Sequence, residues 1–418
     1  MAGFVGTALE YYDFFIFATA ASLVFGPVMF GGGEAAMLAS FATLAVSYCA
    51  RPLGGIIWGH LGDKLGRRAV LMATIIMMGV STFLIGCLPT FAQAGWIAPS
   101  LLVLCRLLQG FSAGGESAGT STLTMENAPD NRRNFYTQFT ITGCNFGIVL
   151  ANLVFIPISS LPKADLLGWG WRIPFLLSAI IMIIGYLVRR TLIEPEVFSE
   201  VKQQKKTARL PLVVLLRTDT PTLVKAILMM LVCATDSVFT AYALAYATQA
   251  MKIQASVMLW AVVCGMALGM IGQPLAGMLS DKIGRKPVFV TGCALSAAGL
   301  YLYFVAIQTT VPALIILAGI FYRAIAYSCV NAIYIGWFPE LFHVKVRYSG
   351  VAIAIQFGLI VAGFSPMISA ILAPTGSPNW GPVPIFQAGL CFIAALAAVF
   401  SRETYKTPLA ELGVAPKE

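Results

Sequence analysis

A chain of 418 residues that is 58% hydrophobic and only 11% charged, with a mean hydropathy of +0.83, has the composition of a protein dissolved in lipid. Its net charge of +9 invites nucleic acid as a partner, but the placement of that charge along the chain excludes it. No phosphate-cradling G-x-x-x-x-G-K-[ST] and no metal-ligand spacing occurs, so neither an enzyme, a metal nor an organic cofactor is expected.

Twelve apolar runs succeed one another, at about 3–29, 37–60, 69–88, 99–125, 135–159, 172–189, 222–248, 256–279, 288–307, 311–337, 349–373 and 383–400. About 20 apolar residues cross ~30 Å of hydrocarbon as a helix, and these runs lack the period-two alternation of barrel strands. The first run carries Glu10 and Asp13 and has no basic leader, which argues against a signal peptide. The polar break around 191–221 separates six runs from six. The expected fold is therefore an all-α membrane protein of twelve transmembrane helices in two six-helix halves related by pseudo-two-fold symmetry. Its parts are a bundle at 1–190, a linker at 191–221, a second bundle at 222–401 and a tail at 402–418.

Of the 27 Lys and Arg residues, Arg51, Arg106 and Arg323 lie within runs, and only Lys163, Arg172 and Lys252 fall in connections on the other side of the membrane from the rest. Positive loops stay cytoplasmic, so both termini are expected inside the cell. The charge is a topology signal, and the partner it implies is the lipid bilayer.

Within this apolar chain the polar phrase GHLGDKLGRR at 59–68 returns as GMLSDKIGRK at 277–286, a shift of 218 residues. Each copy sits between the second and third runs of its half. After the fourth run of each half comes an acid–base pair seven residues apart, Glu126 with Arg133 and Glu340 with Arg347. Asp63, Arg67, Arg68, Glu126 and Arg133 are thus candidates for one cytoplasmic latch, and Asp281, Arg285, Glu340 and Arg347 for its counterpart. The acid either pairs with a base or caps the N-terminus of a neighbouring helix.

Charges inside the runs are functional candidates by default, since each costs ~2.5–3.5 kcal/mol on insertion scales. They are Glu10, Asp13, Arg51, Arg106, Glu116, Asp236 and Arg323. At ~1.5 Å per residue, Asp13, Glu116 and Arg51 share a depth and are expected to form one charge network. Arg106, Gln109 and Glu116 share a helix face. Arg106 offers a substrate carboxylate a planar fork of donors; pairing with Glu116 or Asp13 is the structural alternative. A proton carrier must gain and lose its proton as its surroundings change, which suits Asp13, Glu116 and Glu10. Tyr12, Gln138, Asn145, Asp236, Tyr242, Arg323, Asn331 and Gln356 are further candidate substrate contacts within runs. The nine cysteines fall in the runs without metal spacing and read as packing residues.

The G-x-L-x-D-K-x-G-R-[RK] loop in both halves resembles the signature of the major facilitator superfamily. EYYDFFIF (10–17), ARPLGGIIWGHLGDKLGRR (50–68), RLLQGFSAGGESAG (106–119), GWGWRIPF (168–175) and PELFHVKVRYSG (339–350) are similar to its metabolite:proton symporter family. That resemblance covers nearly the whole chain and leans toward shikimate and aromatic-acid carriers. It implies a functional monomer in a bacterial inner membrane, importing a small carboxylate together with protons by alternating access. Zwitterion uptake (proline or betaine), drug or metabolite export, and a sensor that binds without translocating are the alternatives.

Overall fold

The computed structural model describes residues 2–65, 67–114, 129, 132–190, 215–217, 219–343, 346–407 and 412. Glu116 and Glu126, and the side chains of Asp63, Arg67 and Arg68, lie outside the described residues. Among those described there is no strand, and the helices fall in the expected order. In the first half these are α1 (Ala2–Leu23), α2 (Glu34–Leu65), α3 (Arg67–Cys87), α4 (Ile97–Ala113), α5 (Arg133–Ser159) and α6 (Arg172–Arg190). In the second they are α7 (Thr220–Gln249), α8 (Ala255–Ile283), α9 (Arg285–Gln308), α10 (Pro312–Leu341), α11 (Arg347–Leu372) and α12 (Pro382–Val399). Nine described helices are long and apolar enough to cross a membrane, and α4 is a shorter apolar one.

Helix start and stop follow local chemistry. Pro312 and Pro382 open α10 and α12, where the missing N–H has no partner to lose. The α8–α9 turn is made by Gly284 at φ 110°, a conformation that side chains with a Cβ resist. Internal prolines at 52, 157, 274, 339 and 366 are tolerated because neighbouring helices shield the backbone.

The helices pack with apolar side chains on both sides. Inward, a core including Tyr12, Phe17, Phe25, Trp171, Phe239, Tyr303 and Tyr322 joins the two halves. Outward, Ile180, Ile183 and Leu187 on α6, and Ile385 and Phe392 on α12, are exposed, as a lipid-facing belt requires. Small residues set how near α4 lies to α2. A Cβ on Gly110 would stand 2.0 Å from the Ser47 carbonyl oxygen, and one on Gly114 would stand 2.0 Å from that of Arg51.

The halves meet along α1–α7, α2–α11, and α5 against α8 and α10. At the end bearing the α8–α9 turn, called the basic end, α5 runs against the C-terminal parts of α8 and α10. At the opposite end the Ser22 hydroxyl of α1 donates to the Ala241 carbonyl of α7 (3.0 Å). Contacts across the halves therefore occur toward both ends among the described residues.

Candidate functional site

Between the two halves lies a cavity lined by Phe14, Ala18, Leu44, Tyr48 and Arg106 of the first half, and by Ser237, Thr240, Ala241, Ala362 and Gly363 of the second. Its volume of about 30 Å³ is room for about two waters. The Tyr48 ring narrows it, lying so near Gly363 that a Cβ there would stand 2.5 Å from it.

Arg106 is fully buried. Its Nε donates to the Thr43 carbonyl (3.2 Å) and its Nη1 to Gln109 Oε1 (2.9 Å). The guanidinium lies 3.8 Å from the Phe17 ring centre and 5.1 Å from that of Phe14. Its Nη2 has no hydrogen-bond partner among the described residues. A buried guanidinium facing the cavity with one free N–H₂ is prepared for an acceptor that arrives from outside the protein. No carboxylate lines the cavity among the described residues.

Of the charge network expected around Arg51, Glu116 lies outside the described residues. Arg51 pairs with Glu10 (3.4 Å), one turn from Asp13, and stacks on the rings of Phe14 (4.1 Å) and Tyr48 (4.8 Å). Asp13 makes no ion pair among the described residues and lines, together with Glu10, a crevice against Ile75, Met78 and Gly79 of α3 and Ser178 and Met182 of α6. Glu10 and Phe14 lie one turn apart on α1 and both contact Arg51.

A second ion pair, between buried Arg323 and half-buried Asp236, occupies the other half. Arg323 Nε meets Asp236 Oδ1 at 3.2 Å. Arg323 Nη2 donates to Asn145 Oδ1 of α5 (3.0 Å), and Asn145 Nδ2 donates to Gln273 Oε1 of α8 (3.1 Å). Asn145 thus reaches across the halves beside the ion pair. Two π-helical turns, Val238–Tyr242 in α7 and Phe321–Ala326 in α10, frame this pair. Such turns often mark functional positions, and no sequence pattern announced them.

Other candidates are placed elsewhere. Tyr12 donates to the Pro174 carbonyl (3.0 Å) inside the first bundle, and Tyr242 to the Ala373 carbonyl (2.6 Å) inside the second. Gln109 joins Arg106 to Thr82 behind the cavity wall. Gln138 donates to the Ala332 carbonyl across the halves toward the basic end. Asn331 and Gln356 are buried in α10 and α11 and are not among the cavity's lining residues. Tyr48, Ser237 and Thr240 line the cavity and were missed. Tyr48 had a signal in its position one turn before Arg51.

At the basic end, four of the latch candidates converge. Arg285 pairs with Asp281 (2.6 Å) and Glu340 (3.0 Å), and Arg133 Nε reaches the same Glu340 carboxylate at 3.1 Å. Asp281 accepts from the backbone N–H of Asn134 (3.3 Å) and Phe135 (3.1 Å), capping the N-terminus of α5. Arg133, expected in the first-half latch, therefore joins the second-half cluster. The tail takes part as well: Arg133 Nη2 donates to the carbonyls of Thr404 (3.3 Å) and Thr407 (2.9 Å), and Glu403 accepts from the N–H of Arg285 (3.0 Å). Arg347 Nη2 donates to the Leu412 carbonyl (3.0 Å).

Twelve helices in two halves around a central cavity are the architecture of a membrane transporter. Residues 1–210 match the family model "Sugar (and other) transporter", and 226–417 match "Major Facilitator Superfamily". The shikimate transporter of Escherichia coli is 34% identical over 97% of this chain and 94% of its own length. The inner membrane metabolite transport protein YhjE of the same organism is 34% identical over 97% and 93%. The proline/betaine transporter of Salmonella typhimurium is 32% identical over 98% and 84%. Among solved structures, the inward-open xylose transporter XylE superposes with a TM-score of 0.74 at 19% identity, over 98% of this chain and 97% of that one. The chain belongs to the major facilitator superfamily, in its metabolite:proton symporter family. It is a multi-pass membrane transporter and not an enzyme.

Proposed function

We propose that this transporter imports a small organic acid together with protons across a bacterial inner membrane, with both termini cytoplasmic and one chain as the functional unit. The moving bodies are residues 1–190 and 222–401, joined by 191–221, with 402–418 following the second. The observation that carries the substrate class is Arg106: fully buried, facing the cavity, with Nη2 unpartnered and no acid beside it on the cavity wall among the described residues. A substrate carboxylate completes that guanidinium. Asp13 and Glu10 are the proton carriers favoured by their burial, and Glu116 remains a third. The shikimate transporter among the relatives makes a hydroxylated monocarboxylate the first compound to test.

Alternating access then follows from the contacts. Opening the basic end parts Arg133 from Glu340 and Asp281 from α5, and opening the other end parts Ser22 from Ala241. A second reading, uptake of a zwitterion, is favoured by the Asp236–Arg323 pair, which supplies both signs of charge, and by the proline/betaine relatives.

The test is counterflow in proteoliposomes with labelled shikimate, α-ketoglutarate, citrate, proline and betaine. Counterflow of a carboxylate that is lost in Arg106→Met supports the proposal. Counterflow of proline or betaine alone supports the second reading, and binding without counterflow would sink both.

A further inference from the structure

Residues three and four apart share a helix face, so Ser237, Thr240 and Ala241 form one stripe of α7 along the cavity. Two of them carry hydroxyls, and the two differ in what they can still offer. In apolar helices a Ser or Thr hydroxyl commonly turns back onto the carbonyl one turn earlier. Ser81 does so to Met77 (2.6 Å), Thr248 to Leu244 (2.8 Å) and Thr240 to Asp236 (2.8 Å). The single proton of Thr240 is therefore committed, and its oxygen can only accept. Ser237 departs from this habit. It is half-buried, and its hydroxyl has no hydrogen-bond partner among the described residues. The other second-half residues of the wall, Ala241, Ala362, Gly363 and Pro366, have no polar side chain. From the first half the polar groups are Arg106 and Tyr48.

We infer that Ser237 is a specificity-determining residue and that the transported acid carries a hydroxyl group as well as its carboxylate. The carboxylate goes to Arg106 of the first half and the hydroxyl to Ser237 of the second. A hydroxyl has one proton to give and two lone pairs to accept with. The substrate hydroxyl accepts from Ser237 and can give its own proton to the Thr240 oxygen, which has none left to offer. Admitting an acid requires the cavity walls to part, and their uncommitted polar groups are then the ones it meets. Before that, water can serve Ser237, since the cavity has room for about two molecules. A hydroxylated acid replaces that water with an equivalent hydrogen bond. A deoxy acid displaces it and leaves the serine unpaired, which is how a polar group in a cavity rejects an analogue that lacks one hydroxyl. The quaternary nitrogen of a betaine carries no N–H, so Ser237 weighs against that substrate as well.

This inference rests on Arg106 as the carboxylate site, and the experiment separates the two ideas. Apparent dissociation constants are measured by thermal shift on the full chain purified in detergent. The probes are matched pairs with and without hydroxyls: shikimate and cyclohex-1-enecarboxylate, malate and succinate, 3-hydroxybutyrate and butyrate. In the native chain at least one hydroxylated acid should bind about 10-fold or more tightly than its deoxy partner. Ser237→Ala should cut that preference about 5- to 10-fold, the equivalent of one neutral hydrogen bond. Ser237→Thr, which keeps the hydroxyl, should retain it. Ser237→Cys, close in size but a weak donor, serves if Ser237→Ala does not fold. Equal binding within every pair, lost in Arg106→Met, overturns the hydroxyl reading and leaves the carboxylate site standing. A preference that survives Ser237→Ala overturns the role of Ser237. Binding of none of the acids, or binding indifferent to Arg106→Met, overturns both.

Discussion

Replacing Arg133 by Gln tests how the basic end is held shut. All the described contacts of the Arg133 guanidinium cross from α5 of the first half to the second: Glu340 at 3.1 Å, the Thr404 carbonyl at 3.3 Å and the Thr407 carbonyl at 2.9 Å. They are broken when that end opens and re-formed when it closes, so their loss acts on the closed state alone. Hydrogen bonds to a charged group contribute about 1.5–3 kcal/mol each, and the two to Thr404 and Thr407 together with the ion pair to Glu340 are not additive. A net loss of about 2–3 kcal/mol shifts the equilibrium toward the open basic end by roughly 30- to 150-fold. Glu340 keeps Arg285 at 3.0 Å, so the variant strands no buried carboxylate and folding is spared. The assay is the distance distribution between spin labels at the exposed positions Tyr136 and Ile283, on α5 and α8 at this end, in a background free of reactive cysteines. A longer distance should grow at the expense of the native one. An unchanged distribution would refute the assignment of Arg133 to the gate.

Asp13→Asn is expected to abolish uphill accumulation while counterflow continues, measured with the same labelled acid in both assays. Arg106→Lys keeps the charge but loses the fork, and apparent affinity for a carboxylate should fall about 10- to 100-fold, the equivalent of one charged hydrogen bond. Gly110→Ala places a methyl 2.0 Å from the Ser47 carbonyl and should destabilise by about 1–3 kcal/mol, read as a lower melting temperature in detergent. Arg323→Met leaves the half-buried Asp236 without its partner and should destabilise by about 1–3 kcal/mol, with the Asp236→Asn/Arg323→Met double variant recovering much of the loss. A double variant no more stable than Arg323→Met would show that the pair is not coupled.

The number, order and approximate ends of the helices were legible because membrane helices announce themselves by length and apolarity, and the repeated loop disclosed the two halves. Charged residues in apolar runs were equally visible, and Arg106, Arg323 and Asp236 do project inside the protein. What the sequence could not supply was rotation. Glu10 and Asp13 are three residues apart and line one crevice, yet among the described residues only Glu10 pairs with Arg51, a choice made by the packing of α1. Tyr12 and Tyr242 look like cavity residues in sequence because a hydroxyl within an apolar run suggests a polar wall. In the structure each hydroxyl is taken up by a backbone carbonyl. The partner of Arg133 was hidden because Glu340 lies 207 residues further along and the tail carbonyls carry no side-chain signature.

The central claim is that a proton gradient drives this chain to concentrate an organic acid. Proteoliposomes loaded at neutral pH and diluted into acidic buffer with labelled shikimate or another carboxylate that gives counterflow test it directly. The account predicts accumulation above the external concentration, collapse on adding a protonophore, and no accumulation by Asp13→Asn. Uptake that only equilibrates, or that ignores the protonophore, would contradict it.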